Sequence, residues 1–220
     1  MCCKNYEFIL FDLDGTLTDP FEGITNSVVY SLAYYGIKVE NKEELKCFIG
    51  PPLYASYEKY YGFSKEKAIE AVEKYREYYK DKGIFENRLY DGTVELLIKL
   101  KEKGRKIILA TSKPEFFALQ ILEHFNIRKY FDVVVGATMD GSLINKGDII
   151  RVALEKIGSP VKEKSIMIGD KSHDIIGAKQ NDIDSIGVLY GFGSREELCG
   201  ASSNYIVEDF EEIEKILIEE

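Results

Sequence analysis

The chemistry in this chain is concentrated in two pairs of carboxylates. Asp12 and Asp14 follow the apolar run Phe8-Ile9-Leu10-Phe11, and Asp170 and Asp174 follow Ile166-Met167-Ile168-Gly169. Thr111, Ser112 and Lys113 follow a third apolar run, Ile107-Ile108-Leu109-Ala110, and Lys146 lies in the turn before a later helix. Such a set suits phosphoryl transfer. A carboxylate can attack phosphorus to form an acyl phosphate, which water then hydrolyses. A second carboxyl can protonate the leaving oxygen and afterwards activate the water. Ammonium groups and a hydroxyl balance charge on the equatorial oxygens. Clustered carboxylates repel one another and the phosphate, so a cation is required. Hard oxygen ligands in small number favour Mg²⁺ with some waters retained.

Those residues act together only if the fold brings them together. Each apolar run is short and continuous, as expected of a strand buried on both faces. From residue 94 onward such runs alternate with helical patterns: helices through Val94, Leu97 and Leu100, from Pro114 to about Phe125, through Ile149, Ile150, Ala153 and Leu154, and around 175–180. Further strands are expected at Val133-Val134-Val135, near 185–189 and, at an edge, at Tyr205-Ile206-Val207. Ser194 with Glu197, and Asp209 with Glu212, have capping-box spacing ahead of two short helices. Alternation of this kind implies an α/β, Rossmann-like doubly wound parallel sheet, covered by helices on both faces. Ligands of such a sheet bind at the carboxyl ends of its strands, where the listed carboxylates, lysines and hydroxyl converge. Residues 21–83 instead read as helices only, closed by Gly36, broken at Gly50-Pro51-Pro52, ended near Gly62 and restarted at a Ser64 cap. This block reads as an inserted α-helical cap.

Asp12-Leu13-Asp14-Gly15-Thr16-Leu17-Thr18 resembles the first motif of the haloacid dehalogenase superfamily. Thr111-Ser112-Lys113-Pro114 resembles its second, phosphate-binding motif, though the family commonly carries Asn where Ser112 stands. Lys146 sits where the third-motif lysine is expected, and Gly169-Asp170 with Asp174 resembles the metal-binding fourth motif. The resemblance covers essentially the whole chain, in order. It implies that Asp12 is nucleophile and metal ligand, and that Asp14 is acid/base with its backbone carbonyl on the metal. It further implies that Thr111, Ser112, Lys113 and Lys146 hold phosphate, that Asp170 ligates Mg²⁺, and that Asp174 supports the metal shell or orients Lys146. Gly50 resembles the cap loop that reaches toward substrate. The implied division is a core of 1–17 and 86–220 with a cap of 18–85, hinged near 18–21 and 83–88. Asp14-Gly15-Thr16-Leu17-Thr18-Asp19-Pro20 and Gly169-Asp170-Lys171-Ser172-His173-Asp174 look closest to the phosphoglycolate phosphatase and 5′-nucleotidase-like branch.

Composition narrows the partners. The chain has 220 residues, 45% of them hydrophobic, and a formal net charge of −9. An acidic surface repels polyanions, so nucleic acid polymers and anionic membranes are poor partners, whereas a small phosphorylated metabolite fits a locally basic pocket. Residues 1–6 are polar and short, no apolar run approaches membrane-spanning length, and Cys2, Cys3, Cys47 and Cys199 match no metal or redox spacing. A cytoplasmic protein with reduced thiols is expected. Three other readings share part of this pattern. A dehalogenase has no need of Asp14 or Mg²⁺. A hexose-phosphate mutase would share every core motif. A receiver-like phosphoacceptor module would need neither Asp14 nor a helical cap. His173 and His124 read as a solvated loop residue and a helix-end residue.

Overall fold

The computed structural model describes residues 4–158 and 162–218, so Cys2 and Cys3 lie outside the described residues. The chain divides into two compact units, one of Met1–Thr18 with Leu89–Glu220 and one of Asp19–Arg88.

The first unit is built on a six-stranded sheet in which every pairing is parallel. Its strands are β1 (Phe8–Phe11), β4 (Lys106–Pro114), β5 (Val133–Ala137), β6 (Ser165–Gly169), β7 (Asp184–Val188) and β8 (Tyr205–Val207), in the order β5-β4-β1-β6-β7-β8. The chain moves outward from β1 through β4 to β5, then returns to β6 on the other side. The order therefore reverses at β1, and a crevice forms at the carboxyl ends of β1, β4 and β6. Ile9, Leu10 and Phe11 are fully buried, which explains why this run shows no polar alternation.

Helices α4 (Thr93–Glu102), α5 (Glu115–His124), α6 (Lys146–Lys156), α7 (Ser172–Gln180), α8 (Arg195–Gly200) and α9 (Phe210–Leu217) accompany this sheet. Leu10, Ile108, Val135 and Met167 pack with Ile149, Ile150 and Ala153 of α6 and Ala178 of α7. Successive strand residues point to opposite faces, so Ile9, Phe11, Ile107 and Leu109 are left for the other side, where α4 and α5 pack on the sheet and α9 on α4. Burying one such aliphatic or aromatic side chain contributes about 1.5–3 kcal/mol. A small second sheet pairs β2 (Thr18–Asp19) with β3 (Arg88–Leu89), the two stretches where the chain passes between its units.

The second unit contains α1 (Phe21–Tyr34), α2 (Leu53–Tyr61) and α3 (Lys65–Tyr78). Gly62 takes a left-handed conformation after α2, and Ser64 Oγ accepts the Lys67 N–H at 3.3 Å, capping α3. The helical pattern hid two irregular segments, a 3₁₀ helix at Lys42–Phe48 and a π-helical turn at Tyr79–Gly83. Phe48, Tyr57, Tyr61 and Phe63 form an aromatic cluster in this unit, so Tyr57 belongs to its core. Among the described residues no helix is long and apolar enough to cross a membrane.

Candidate active site

β1 delivers Asp12, whose N–H donates to the Ile168 carbonyl at 2.9 Å and so extends the ladder one residue beyond the strand. The chain then folds back sharply. The Leu13 carbonyl accepts N–H groups from Leu17 at 2.9 Å and Thr18 at 3.0 Å, and Gly15 N–H donates to Thr18 O at 2.7 Å. Gly15 has φ +87°, a conformation open to glycine without strain. The turn lifts Asp14 onto the same edge as Asp12.

β4 continues past the expected strand through Thr111, Ser112 and Lys113, and its pairing with β5 shifts register between Thr111 and Pro114. Thr111 is buried, and its Oγ1 accepts the Lys113 N–H at 3.2 Å. Lys146 is not in the turn before α6 but is that helix's first residue. Asn145 caps the helix there, its Oδ1 accepting the Gly147 N–H at 2.9 Å. β6 delivers Asp170, and Asp174 sits in the first turn of α7, where its Oδ2 accepts the Lys171 N–H at 3.0 Å. Asp174 therefore caps its helix and faces the site as well.

These groups meet in one place. Carboxylate oxygens of Asp12, Asp170 and Asp174 lie within 4.8 Å of one another, all buried. Lys146 Nζ bridges two of them, at 2.5 Å from Asp12 Oδ1 and 2.8 Å from Asp174 Oδ1. The Asp14 carboxylate stands apart from this trio and pairs with Lys113 Nζ at 2.5 Å. Ser112 follows Thr111 in the same strand, partly exposed. Gly50 belongs to the helical unit, with φ +102°, ahead of Pro51-Pro52 and α2.

The electrostatics of the cluster favour a bound cation. Burial pushes the Asp170 carboxyl well above the usual carboxylate range, reinforced by Asp174 and then Asp12. Burial also raises Asp12, more than Lys146 offsets. For Asp174 burial acts upward, but Lys146 and His173 outweigh it and hold the group low. Burial pulls the Lys146 ammonium down, yet Asp12 and Asp174 outweigh that and keep it charged. When all three carboxylates are ionised they exceed the one ammonium by two negative charges, which one divalent cation would balance. Asp170 Oδ1 is buried with no hydrogen-bond partner among the described residues, which fits a metal-ligand oxygen. The all-oxygen donor set fits Mg²⁺.

Two features of the site escaped the sequence reading. The pairing of Lys113 with Asp14 joins residues far apart in the chain, and neither residue's local context announces it. Glu197 does not reach back to close a capping box: Ser194 Oγ accepts the Glu197 N–H at 3.1 Å, but the glutamate carboxylate accepts from Ser172 instead. A separate groove of about 450 Å³ lies wholly within the helical unit, lined by Phe21, Glu22, Thr25, Lys42, Phe85 and Arg88 among others. Its walls come from three stretches, which single-segment patterns cannot join.

Comparison with known proteins agrees with this geometry. The family profile described as haloacid dehalogenase-like hydrolase matches residues 9–188. A protein of Pseudomonas aeruginosa named 5′-nucleotidase is 43% identical, over 96% of each chain. The crystal structure of a predicted phosphatase from Clostridium acetobutylicum superposes with a TM-score of 0.92 at 51% identity, covering 96% of this chain and 97% of that one. A protein of Mycobacterium tuberculosis named tyrosine-protein kinase PtkA is 37% identical over 91% of this chain and 68% of its own length. The chain belongs to the haloacid dehalogenase-like hydrolase family, and it is an enzyme of the phosphatase kind within it.

Proposed function

We propose that this chain is a Mg²⁺-dependent phosphatase that hydrolyses small phosphomonoesters through an aspartyl phosphate on Asp12. The observation that carries the reading is the division of labour at the sheet edge. Asp12 is held by Lys146 beside two further buried carboxylates, while Asp14, outside that trio, pairs with Lys113.

In the first step a carboxylate oxygen of Asp12 attacks phosphorus, the bond from phosphorus to the leaving oxygen breaks, and Asp14 gives that oxygen a proton. In the second step water attacks the phosphorus, Asp14 takes the proton released, and the bond to Asp12 breaks to give phosphate. Lys146 orients Asp12 throughout through its contact with Oδ1. In this reading Thr111 and Lys113 bind phosphate oxygens, and a phosphate that draws Lys113 from Asp14 releases Asp14 for its proton; the pairing of Lys113 with Asp14 supports it. Asp12, Asp170 and the backbone of Asp14 would hold Mg²⁺, with Asp174 supporting them. When bound, the ion neutralises charge on the carboxylates and the phosphate.

Small substrates of the phosphoglycolate or nucleoside monophosphate type suit this reading, which the relative named 5′-nucleotidase supports. We assign substrate selection to the helical unit, with Gly50 among the residues that contribute to it. The test is phosphate release from a panel of phosphorylated metabolites by wild type and Asp12→Asn. Turnover of a small phosphomonoester, abolished in the variant without loss of fold, is expected. Near-normal activity in Asp12→Asn, or a stable stoichiometric phosphoprotein in the wild type, would sink the proposal.

A further inference from the structure

Asp170 is confined from two sides. A Cβ at Gly15 would fall on its carboxylate, one at Gly191 on its side chain, and one at Gly193 on its carbonyl oxygen. Between those two glycines, Phe192 N–H donates to Asp170 Oδ2 at 2.8 Å. One oxygen is thereby fixed, and the other, Oδ1, is buried without a hydrogen-bond partner among the described residues, in a carboxylate clustered with those of Asp12 and Asp174. The loop that supplies Phe192 is itself tied down. Lys171 Nζ donates to the Phe192 carbonyl at 2.8 Å, and Tyr190 OH donates to the Thr16 carbonyl at 3.0 Å. Lys171 Nζ also lies 3.8 Å from Glu197 Oε2. Glu197 Oε1 accepts both the Ser172 N–H at 2.9 Å and the Ser172 Oγ–H at 2.8 Å. The contacts close a ring: Asp170 to Phe192, Phe192 to Lys171, Lys171 to Glu197, Glu197 to Ser172, and back along the chain to Asp170.

Resting on the cation reading given above, we propose that Glu197 is a positioning residue of the metal site. It fixes the Lys171-Ser172 backbone against the loop of residues 190–193, so that Asp170 Oδ1 is pre-aimed at the ion. The helix does not need this carboxylate, because Ser194 already caps α8. A group accepting two hydrogen bonds on one oxygen while its other oxygen faces an ammonium is built for holding a turn. Burial raises the Glu197 carboxyl, but the Ser172 donors and Lys171 outweigh it, so the group stays ionised for this task.

The experiment is Mg²⁺ titration of chelator-treated protein by calorimetry, with melting curves and circular dichroism on the same samples. Partners that orient metal ligands typically change affinity 10–100-fold when removed, so Glu197→Ala is expected to weaken Mg²⁺ binding by about tenfold or more. Glu197→Gln keeps an acceptor oxygen for Ser172 and is expected to recover most of that loss. Turnover at saturating Mg²⁺ is expected to change little, so the defect lies in the Mg²⁺ dependence and not in kcat. Unchanged Mg²⁺ affinity in Glu197→Ala overturns the proposal, as do equal losses in the Ala and Gln variants, which would mean charge alone matters. If Glu197→Ala does not fold, Ser172→Ala removes one of the two hydrogen bonds and carries the same expectation at smaller size; unchanged affinity there overturns the proposal too. If the wild type takes up no Mg²⁺, or Asp170→Asn binds it equally well, the cation reading itself is what has failed.

Discussion

Asp170 combines a burial cost to the fold with a proposed part in the site. Its carboxyl titrates above the usual range because it is buried beside Asp174 and Asp12. A carboxyl whose folded pKa exceeds its unfolded value favours the fold while protonated, and that contribution is lost as pH rises through the folded pKa. In chelator, therefore, Asp170→Asn should melt at or above wild type near neutral pH, and its advantage should grow as pH rises from the acid side. In Mg²⁺ the order should reverse, because a ligand that binds only the folded state stabilises it and the variant has lost a ligand oxygen. Each kcal/mol corresponds to about 2–4 °C for a chain of this size, which melting curves resolve. A variant that melts below wild type in chelator at every pH would refute the charge argument. Asp14 invites a different test. Its separation from the carboxylate trio and its pairing with Lys113 suit proton transfer, which contributes on the order of 10²–10⁴-fold. Asp14→Asn should then lose most activity on alkyl phosphates and much less on an activated aryl phosphate, whose leaving group needs no proton. Equal losses on both would remove Asp14 from the acid role.

At the scale of the elements, the site depends on how closely the turn after β1 approaches the end of β6. Gly15 and Gly104 both have left-handed φ, +87° and +72°, but a Cβ at Gly104 meets open space while one at Gly15 lands on the Asp170 carboxylate. Backbone strain at such a position costs about 1–3 kcal/mol in either case. Gly104→Ala should lower the melting temperature and leave turnover at its wild-type value. Gly15→Ala should add loss of Mg²⁺ affinity and of turnover, measured on the folded fraction. Equal behaviour of the two variants would show that the approach to Asp170 does not matter. The same contrast explains what the sequence made legible. Asp12, Thr111 and Asp170 follow apolar runs, so local pattern plus the strand-end rule singled them out, whereas Lys146, read as a turn residue, was singled out by motif order and is the first residue of α6. Glu197 was hidden because its spacing from Ser194 has a sufficient local explanation in a helix cap. The loop of residues 190–193 was hidden because its part is played by a backbone N–H and two glycines, and those carry no side-chain signal. Lys113 was expected on phosphate, and its contact with Asp14 belongs to a β4 that runs four residues past its apolar core, to Pro114.

Over the whole molecule, the proposed site residues other than Gly50 belong to the unit of Met1–Thr18 and Leu89–Glu220, while the unit of Asp19–Arg88 has an aromatic core of its own. The divalent cation is therefore expected to act on stability unevenly. In the proposed site, binding energy would enter at Asp12, just after β1, Asp170, just after β6, and Asp174, in the first turn of α7, and the ring through Glu197 would pass it to residues 190–193. Hydrogen exchange separates local opening from global unfolding, so it can show where the energy goes. In chelator the slowest amides should be those of β1, β4 and β6, whose central residues are fully buried. Adding Mg²⁺ should slow exchange most in residues 169–174 and 190–193, where ligands and their supports share one backbone network. The amides of α3, capped by Ser64 and packed on α1 and α2 within the helical unit, should change least. Glu197→Ala should uncouple the two responsive segments, leaving Mg²⁺-dependent protection at 169–174 and reducing it at 190–193. Uniform slowing along the whole chain would mean that Mg²⁺ only shifts the global equilibrium, and the local path from cation to loop would have to be abandoned.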